Sequence, residues 1–121
     1  NARVTDDVRF RPASFRPMFQ KHAGQACGGV QIIVRRPEVY RPFACYWELL
    51  REALRQGRDR FAWRTEEYEF ETERLAIDLL LGRGDLRPLL EDGAPYGEAE
   101  PLWREELSAF GARRASHLIY N

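Results

Sequence analysis

Along the first forty residues the apolar positions recur every second residue. "VRFRP" sets Val8 and Phe10 against Arg9 and Arg11, the period of a half-buried strand, and Pro12 is expected to end it. From Gly29, "GVQIIVRR" places Val30, Ile32 and Val34 on one face and Gln31 and Ile33 on the other, a β-branched strand with one polar residue near its start. The period then lengthens. Pro42 suits a first helical turn, Tyr46, Leu49, Leu50, Ala53 and Leu54 follow at three- and four-residue spacing, and Gly57 stands where a helix-ending glycine belongs.

"FAWR" at 61–64 and "YEFE" at 68–71 return to alternation and predict two short strands. Thr72 is placed to cap a helix carrying Leu75, Ala76, Leu79 and Leu80 and closed by Gly82. Asp85 is placed to cap another around Leu86, Leu89 and Leu90, closed by Gly93. Pro95 and Gly97 mark a loop. A last helix starts near Pro101 with Trp103, Leu107, Phe110 and Arg114 in one stripe, and "HLIY" is left as an edge strand. The pattern predicts an α+β chain: a small single domain with a short, mostly antiparallel sheet packed against about four helices.

Composition narrows the function classes. The chain has 121 residues, enough for an independent core. Its 19 basic and 19 acidic residues cancel, so no global field draws in nucleic acid or an anionic membrane. No apolar run reaches the length of a membrane span. The chain begins at Asn1 without Met, as an excised part of something longer would. Of the 19 basic residues only Lys21 is lysine; an Arg-rich chain of this kind reflects codon bias before it reflects anion binding. Cys27 and Cys45 form neither a CxxC pair nor a zinc pattern and read as buried free thiols.

Two stretches hold candidate chemistry. In "EEYEFETE", Glu67, Glu69 and Glu71 would share one strand face at about 6.5–7 Å, the range of glycosidase carboxylate pairs. A solvated sheet face explains the run more simply, with Glu69, between Tyr68 and Phe70, the member to exempt first. In "FRPMFQKHAGQACGGVQIIV", Phe15 to Val34, the lone lysine, His22, Cys27 and three of nine glycines crowd together. His22 and Cys27 have no third partner for a metal site or a nucleophilic pair. The glycines match no phosphate loop, and their simplest role is tight turning and close backbone approach.

Taken together, Phe10-Arg11-Pro12, Phe15-x-Pro17-x-Phe19-x-Lys21, Cys27-x-Gly29-Val30-Gln31, Tyr68-Glu69-Phe70 and Ala76-Ile77-Asp78-Leu79-Leu80 resemble the C-terminal domain of the NamZ-type exo-β-N-acetylmuramidases. The resemblance runs from about Val8 to Tyr120. It implies a parent glycosidase that removes terminal N-acetylmuramic acid from the non-reducing end of peptidoglycan fragments. It also implies an N-terminal Rossmann-like catalytic domain as the partner in the same parent chain, a place in the cell envelope, and no cofactor or metal.

On that resemblance the catalytic acid belongs to the other domain, with Glu69 the exception to watch. Lys21, His22, Gly28, Gly29, Gln31, Tyr68 and Glu69 are the candidate contacts to a MurNAc-GlcNAc substrate. Lys21 would meet the lactyl carboxylate, and glycine backbone with Gln31 would hydrogen-bond the sugar or its N-acetyl group. The alternatives are that Lys21 and His22 contact the partner domain, that the chain is a stand-alone sugar-binding module, or that it is purely structural. Where many relatives read Gln-Leu-His-Val-Thr-Asp, this chain reads Gln31-Ile32-Ile33-Val34-Arg35-Arg36, without the histidine and the aspartate. "APYGEAEPLW" is looser than the corresponding loop.

Overall fold

The computed structural model describes residues 7–120. The chain is α+β and gathers into two compact units, Asn1–Pro42 and Phe43–Asn121.

The first unit is a hairpin. β1 (Val8–Phe15) and β2 (Cys27–Val34) pair antiparallel from Val8↔Val34 to Phe15↔Cys27. The strand therefore runs through Pro12, which lies opposite Val30. A two-stranded ribbon is all edge, where proline is tolerated, so the expected stop does not occur. The register puts Val8, Phe10 and Pro12 on one face with Val30, Ile32 and Val34, and Arg9, Arg11 and Phe15 on the other with Ile33, Gln31 and Gly29. The base of the hairpin is closed by Arg35 and Arg36 N–H groups donating to the Asp7 carbonyl, at 2.7 and 3.2 Å.

The second unit carries the helices: α1 (Pro42–Gly57), which begins one residue before it, a 3₁₀ turn at Arg58–Arg60, α2 (Ala76–Leu81), α3 (Leu86–Glu91), the one-turn α4 (Tyr96–Ala99) and α5 (Pro101–Ala115). α1 has the bounds the spacing predicts, yet its buried residue is Trp47, while Tyr46, expected inside, is exposed. Trp47 packs with Leu86, Leu90 and Ala99, and around them lie Leu50, Leu54, Trp63, Leu81, Leu89, Tyr96 and Trp103. The indole N–H donates to the Ala94 carbonyl at 2.9 Å, so the one polar atom of the ring is satisfied in the core.

Three carboxylates tie this unit together. The Glu48 carboxylate of α1 accepts from the Tyr96 backbone N–H at 2.9 Å, capping α4 where Pro95 offers no side-chain acceptor, and also holds Arg51 at 2.6 Å. Arg87 of α3 donates to Asp78 of α2 at 2.9 Å and to Glu91 at 3.1 Å, and Glu91 accepts the Trp63 indole N–H at 2.8 Å. The motif aspartate Asp78 is thus an inter-helix anchor.

Five local expectations give way. "FAWR" forms no strand; Phe61 and Trp63 meet edge to face at 4.8 Å instead. Thr72 caps nothing, since α2 begins after Leu75. Asp85 does take the N-cap position of α3, but its carboxylate binds Arg83 rather than the helix N–H groups. "HLIY" is not a strand, and Leu118, Ile119 and Tyr120 are exposed. In α5 only Trp103 reaches the core; Leu107 and Phe110 are exposed.

On α1, hydrogen bonds from Arg55 and then Gln56 hold the Glu52 carboxyl down to about 2, against an ordinary 4.5. A depressed folded-state pKa contributes stability that is present above 4.5 and lost as pH falls toward 2. The pair is exposed and screened by salt, so the contribution is small. Glu52→Gln is therefore expected to lie below the parent in chemical-denaturation stability at neutral pH, and to converge with it at the acid end of that window.

Candidate functional site

In the hairpin unit, residues 16–26 form the connection between β1 and β2. The Gly24 N–H donates to the Pro17 carbonyl at 2.8 Å, and Arg16 Nη1 donates to the Gly24 carbonyl at 2.9 Å, cinching the loop. Gly24 has φ +73, where a side chain is costly, so this glycine is required for the turn. Gln20 and His22 also take positive φ, at 61 and 59. Lys21 lies between them, exposed, with no carboxylate or hydrogen-bond partner among the described residues. Beside it Met18 is 84 % and Phe19 74 % exposed.

The three remaining hairpin candidates lie on β2. A Cβ at Gly29 would stand 2.9 Å from Phe15 Cε1, so the aromatic ring covers that backbone, whereas a Cβ at Gly28 would meet nothing within 4 Å. Of the two glycines only Gly29 serves close approach. Gln31 lies opposite Arg11, whose Nη2 donates to the Gln31 side-chain carbonyl; the amide NH₂ is what remains for a ligand. Cys27 and Cys45 are free and half-buried.

In the helical unit the acidic run folds quite differently from a strand. Tyr68 and Glu71 exchange both backbone hydrogen bonds, at 3.3 and 3.0 Å, and the two residues between them have positive φ: Glu69 at 53 and Phe70 at 64. This is a two-residue reverse turn of the I′ kind, normally written with Asn and Gly. Glu67, Glu69 and Glu71 consequently share no strand face, and the carboxylate-pair geometry does not arise. Glu71 is clamped by Arg74 at 2.7 Å and accepts the Glu73 N–H at 2.9 Å, which holds its carboxyl below the usual range. Glu66 pairs with Arg64, whose guanidinium lies 5.9 Å from the Tyr68 ring centroid. Glu69 has no ion-pair or hydrogen-bond partner among the described residues, and Phe70 is 94 % exposed. Left-handed φ at a non-glycine costs about 1–2 kcal/mol per residue.

The same unit has an open groove of about 350 Å³ between α1, α2, α3 and α5, lined by Phe43, Leu81, Arg83, Leu86, Trp103 and Glu106 among others. Its one cation is committed: Arg83 donates to both Asp85 oxygens, at 3.0 and 2.8 Å, to Glu106 at 3.1 Å and to the Leu102 carbonyl at 3.2 Å. The groove is an apolar trough with a neutralised rim. Alternation in the sequence hid both Phe70 and this groove, because it reads aromatic residues as inward facing.

Against known proteins, residues 1–120 match the family described as "Exo-beta-N-acetylmuramidase NamZ, C-terminal". The chain belongs to the NamZ C-terminal family. It is 30 % identical over 113 residues to the peptidoglycan beta-N-acetylmuramidase NamZ of Bacillus subtilis (strain 168). That alignment covers 93 % of this chain and 25 % of the relative, so the chain spans about a quarter of the length of the NamZ protein it matches. No solved structure matches at a significant level. Membership accounts for the motifs met above: within the NamZ match lie the lysine loop, the glycine-bearing strand β2, the turn at Tyr68–Glu71 and the Asp78 anchor.

Proposed function

We propose that this chain is the cleft-forming C-terminal part of a glycosidase that releases terminal N-acetylmuramic acid from peptidoglycan fragments. The observation that carries the reading is the match to a named peptidoglycan beta-N-acetylmuramidase across 93 % of the chain. The catalytic acid then belongs to the rest of the parent chain, and this part contributes binding groups. Lys21 is the first of them. It is an exposed ammonium with no acidic neighbour among the described residues, whereas Arg51, Arg55, Arg74, Arg83 and Arg87 are each engaged by a carboxylate. An unspent cation on a cinched loop suits the lactyl carboxylate of muramic acid.

In the full-length parent, Lys21→Met is expected to raise KM for a muramyl disaccharide by about tenfold, the size of one charge-assisted hydrogen bond, and to leave Tm unchanged. Steady-state kinetics with a melting curve on the same sample reads both. Unaltered KM would remove the ligand role. A second reading has its own observation: Met18 and Phe19 beside Lys21 are exposed enough to form a packing surface against the remainder of the parent. In that case Lys21→Met lowers Tm and moves KM little.

A further inference from the structure

The turn at Tyr68–Glu71 is built against its own backbone preference. Both central positions need positive φ, yet they hold Glu69 and Phe70 where asparagine and glycine would sit without strain. Such strain persists where surrounding structure over-determines it, and it clusters at sites of ligand contact. The turn is braced from behind: Glu71 by Arg74 and the Glu73 N–H, Tyr68 by the Arg64 guanidinium. Nothing braces the tip itself. Phe70 makes no ring contact among the described residues, and Glu69, unlike Glu66 and Glu71 on either side, has no cationic partner there.

An exposed aromatic ring beside a carboxylate with no cationic partner among the described residues suits a ligand that offers both an apolar face and hydrogen-bond donors. A polyanion is repelled by Glu69. An apolar protein surface would have to bury that carboxylate unpaired, at high cost. A pyranose ring satisfies both groups, since its C–H face stacks on an aromatic and its hydroxyl and amide N–H donors are accepted by a carboxylate. The sugar must also be neutral, because the lactyl carboxylate of muramic acid would meet Glu69 with like charge.

We infer that Glu69 and Phe70 form a sugar-binding tip that takes a neutral N-acetylhexosamine ring, the residue adjoining the terminal muramic acid in the substrate. The inference rests on the peptidoglycan reading above. It adds a contact that distinguishes glycan chains from a simple muramic acid glycoside, and it makes Phe70 a specificity-determining residue.

The test uses the full-length parent with two substrates, MurNAc-GlcNAc and the methyl glycoside of MurNAc, together with calorimetric binding of the disaccharide. Phe70→Ala is expected to raise KM for the disaccharide about tenfold and leave KM for the methyl glycoside unchanged. Phe70→Trp should keep the disaccharide KM near that of the parent, and Tm should not move in either variant. Equal disaccharide KM and equal disaccharide affinity in Phe70→Ala would overturn the inference. So would a fall in Tm of several degrees with both substrates affected alike, which marks Phe70 as a packing residue. The two readings fail separately: disaccharide bound through Phe70 but never cleaved by the parent sinks the glycosidase reading alone, and cleavage indifferent to Phe70 sinks the tip alone.

Discussion

Trp47→Ala is expected to destabilise the helical unit by about 4–8 kcal/mol. Trp47 is 1 % exposed and sits at the centre of the cluster formed with Leu86, Leu90 and Ala99. Truncation of a buried aromatic costs about 3–5 kcal/mol through lost transfer energy and the cavity left behind. It also strips the Ala94 carbonyl of its indole donor, and an orphaned buried acceptor adds about 1–3 kcal/mol. Since whole domains are stable by only about 5–15 kcal/mol, the variant should be near the edge of unfolding at 25 °C. Urea titration followed by far-ultraviolet circular dichroism measures the loss. Trp47→Phe separates the two causes: it refills much of the cavity and lacks the N–H, so a cost near 1–3 kcal/mol is expected. A Trp47→Ala midpoint within error of the parent would mean that the core lies elsewhere.

The second large effect has the opposite sign. Replacing Glu69 and Phe70 together by Asn and Gly gives the turn the residues its backbone asks for, and the chain should become more stable by about 1–2 kcal/mol. The gain is less than the summed strain because glycine also loosens the unfolded chain. If the tip binds sugar, the same variant in the full-length parent loses about tenfold in kcat/KM on the disaccharide. Higher stability with lower activity is the signature of strain retained for function. A denaturation midpoint that rises while kinetics stay level would leave the strain without a role, and a midpoint that falls would mean that Phe70 is held by contacts in the parent.

Most of the helical architecture was legible along the chain because its signals are local. Pro42 and Gly57 bound α1, Gly82 and Gly93 follow α2 and α3 with positive φ, and Pro101 opens α5, each for backbone reasons that act within a few residues. The two strands β1 and β2 were equally visible in alternation, and the family in the combined motifs; that they pair with each other was not. Which face of each element is buried was not. Tyr46 and Trp47 are neighbours on α1, and periodicity favoured the wrong one because burial depends on where α3 and α4 pack against that helix. The stripe on α5 failed likewise: Leu107 and Phe110 have the right spacing but are exposed, Leu107 on the wall of an open groove.

The sequence by itself determined the strands β1 and β2, the helices α1, α2, α3 and α5, and the neutral, Arg-rich character, because propensity, turn chemistry and composition are properties of short windows; its combined motifs marked the NamZ family. Only the tertiary structure decided what the charged and aromatic residues do. Alternation in "EEYEFETE" could not distinguish a strand face from a strained two-residue turn, since backbone handedness at Glu69 and Phe70 leaves no trace in the hydropathy pattern. Nor could spacing show that Asp78, Glu71 and Glu91 are engaged by arginines while Lys21 and Glu69 have no such partner among the described residues, because ion pairing is settled by distances across turns and between elements. A charge engaged within the chain has little left for another molecule, so the fold, not the spacing, decides which charged residues are open to a ligand.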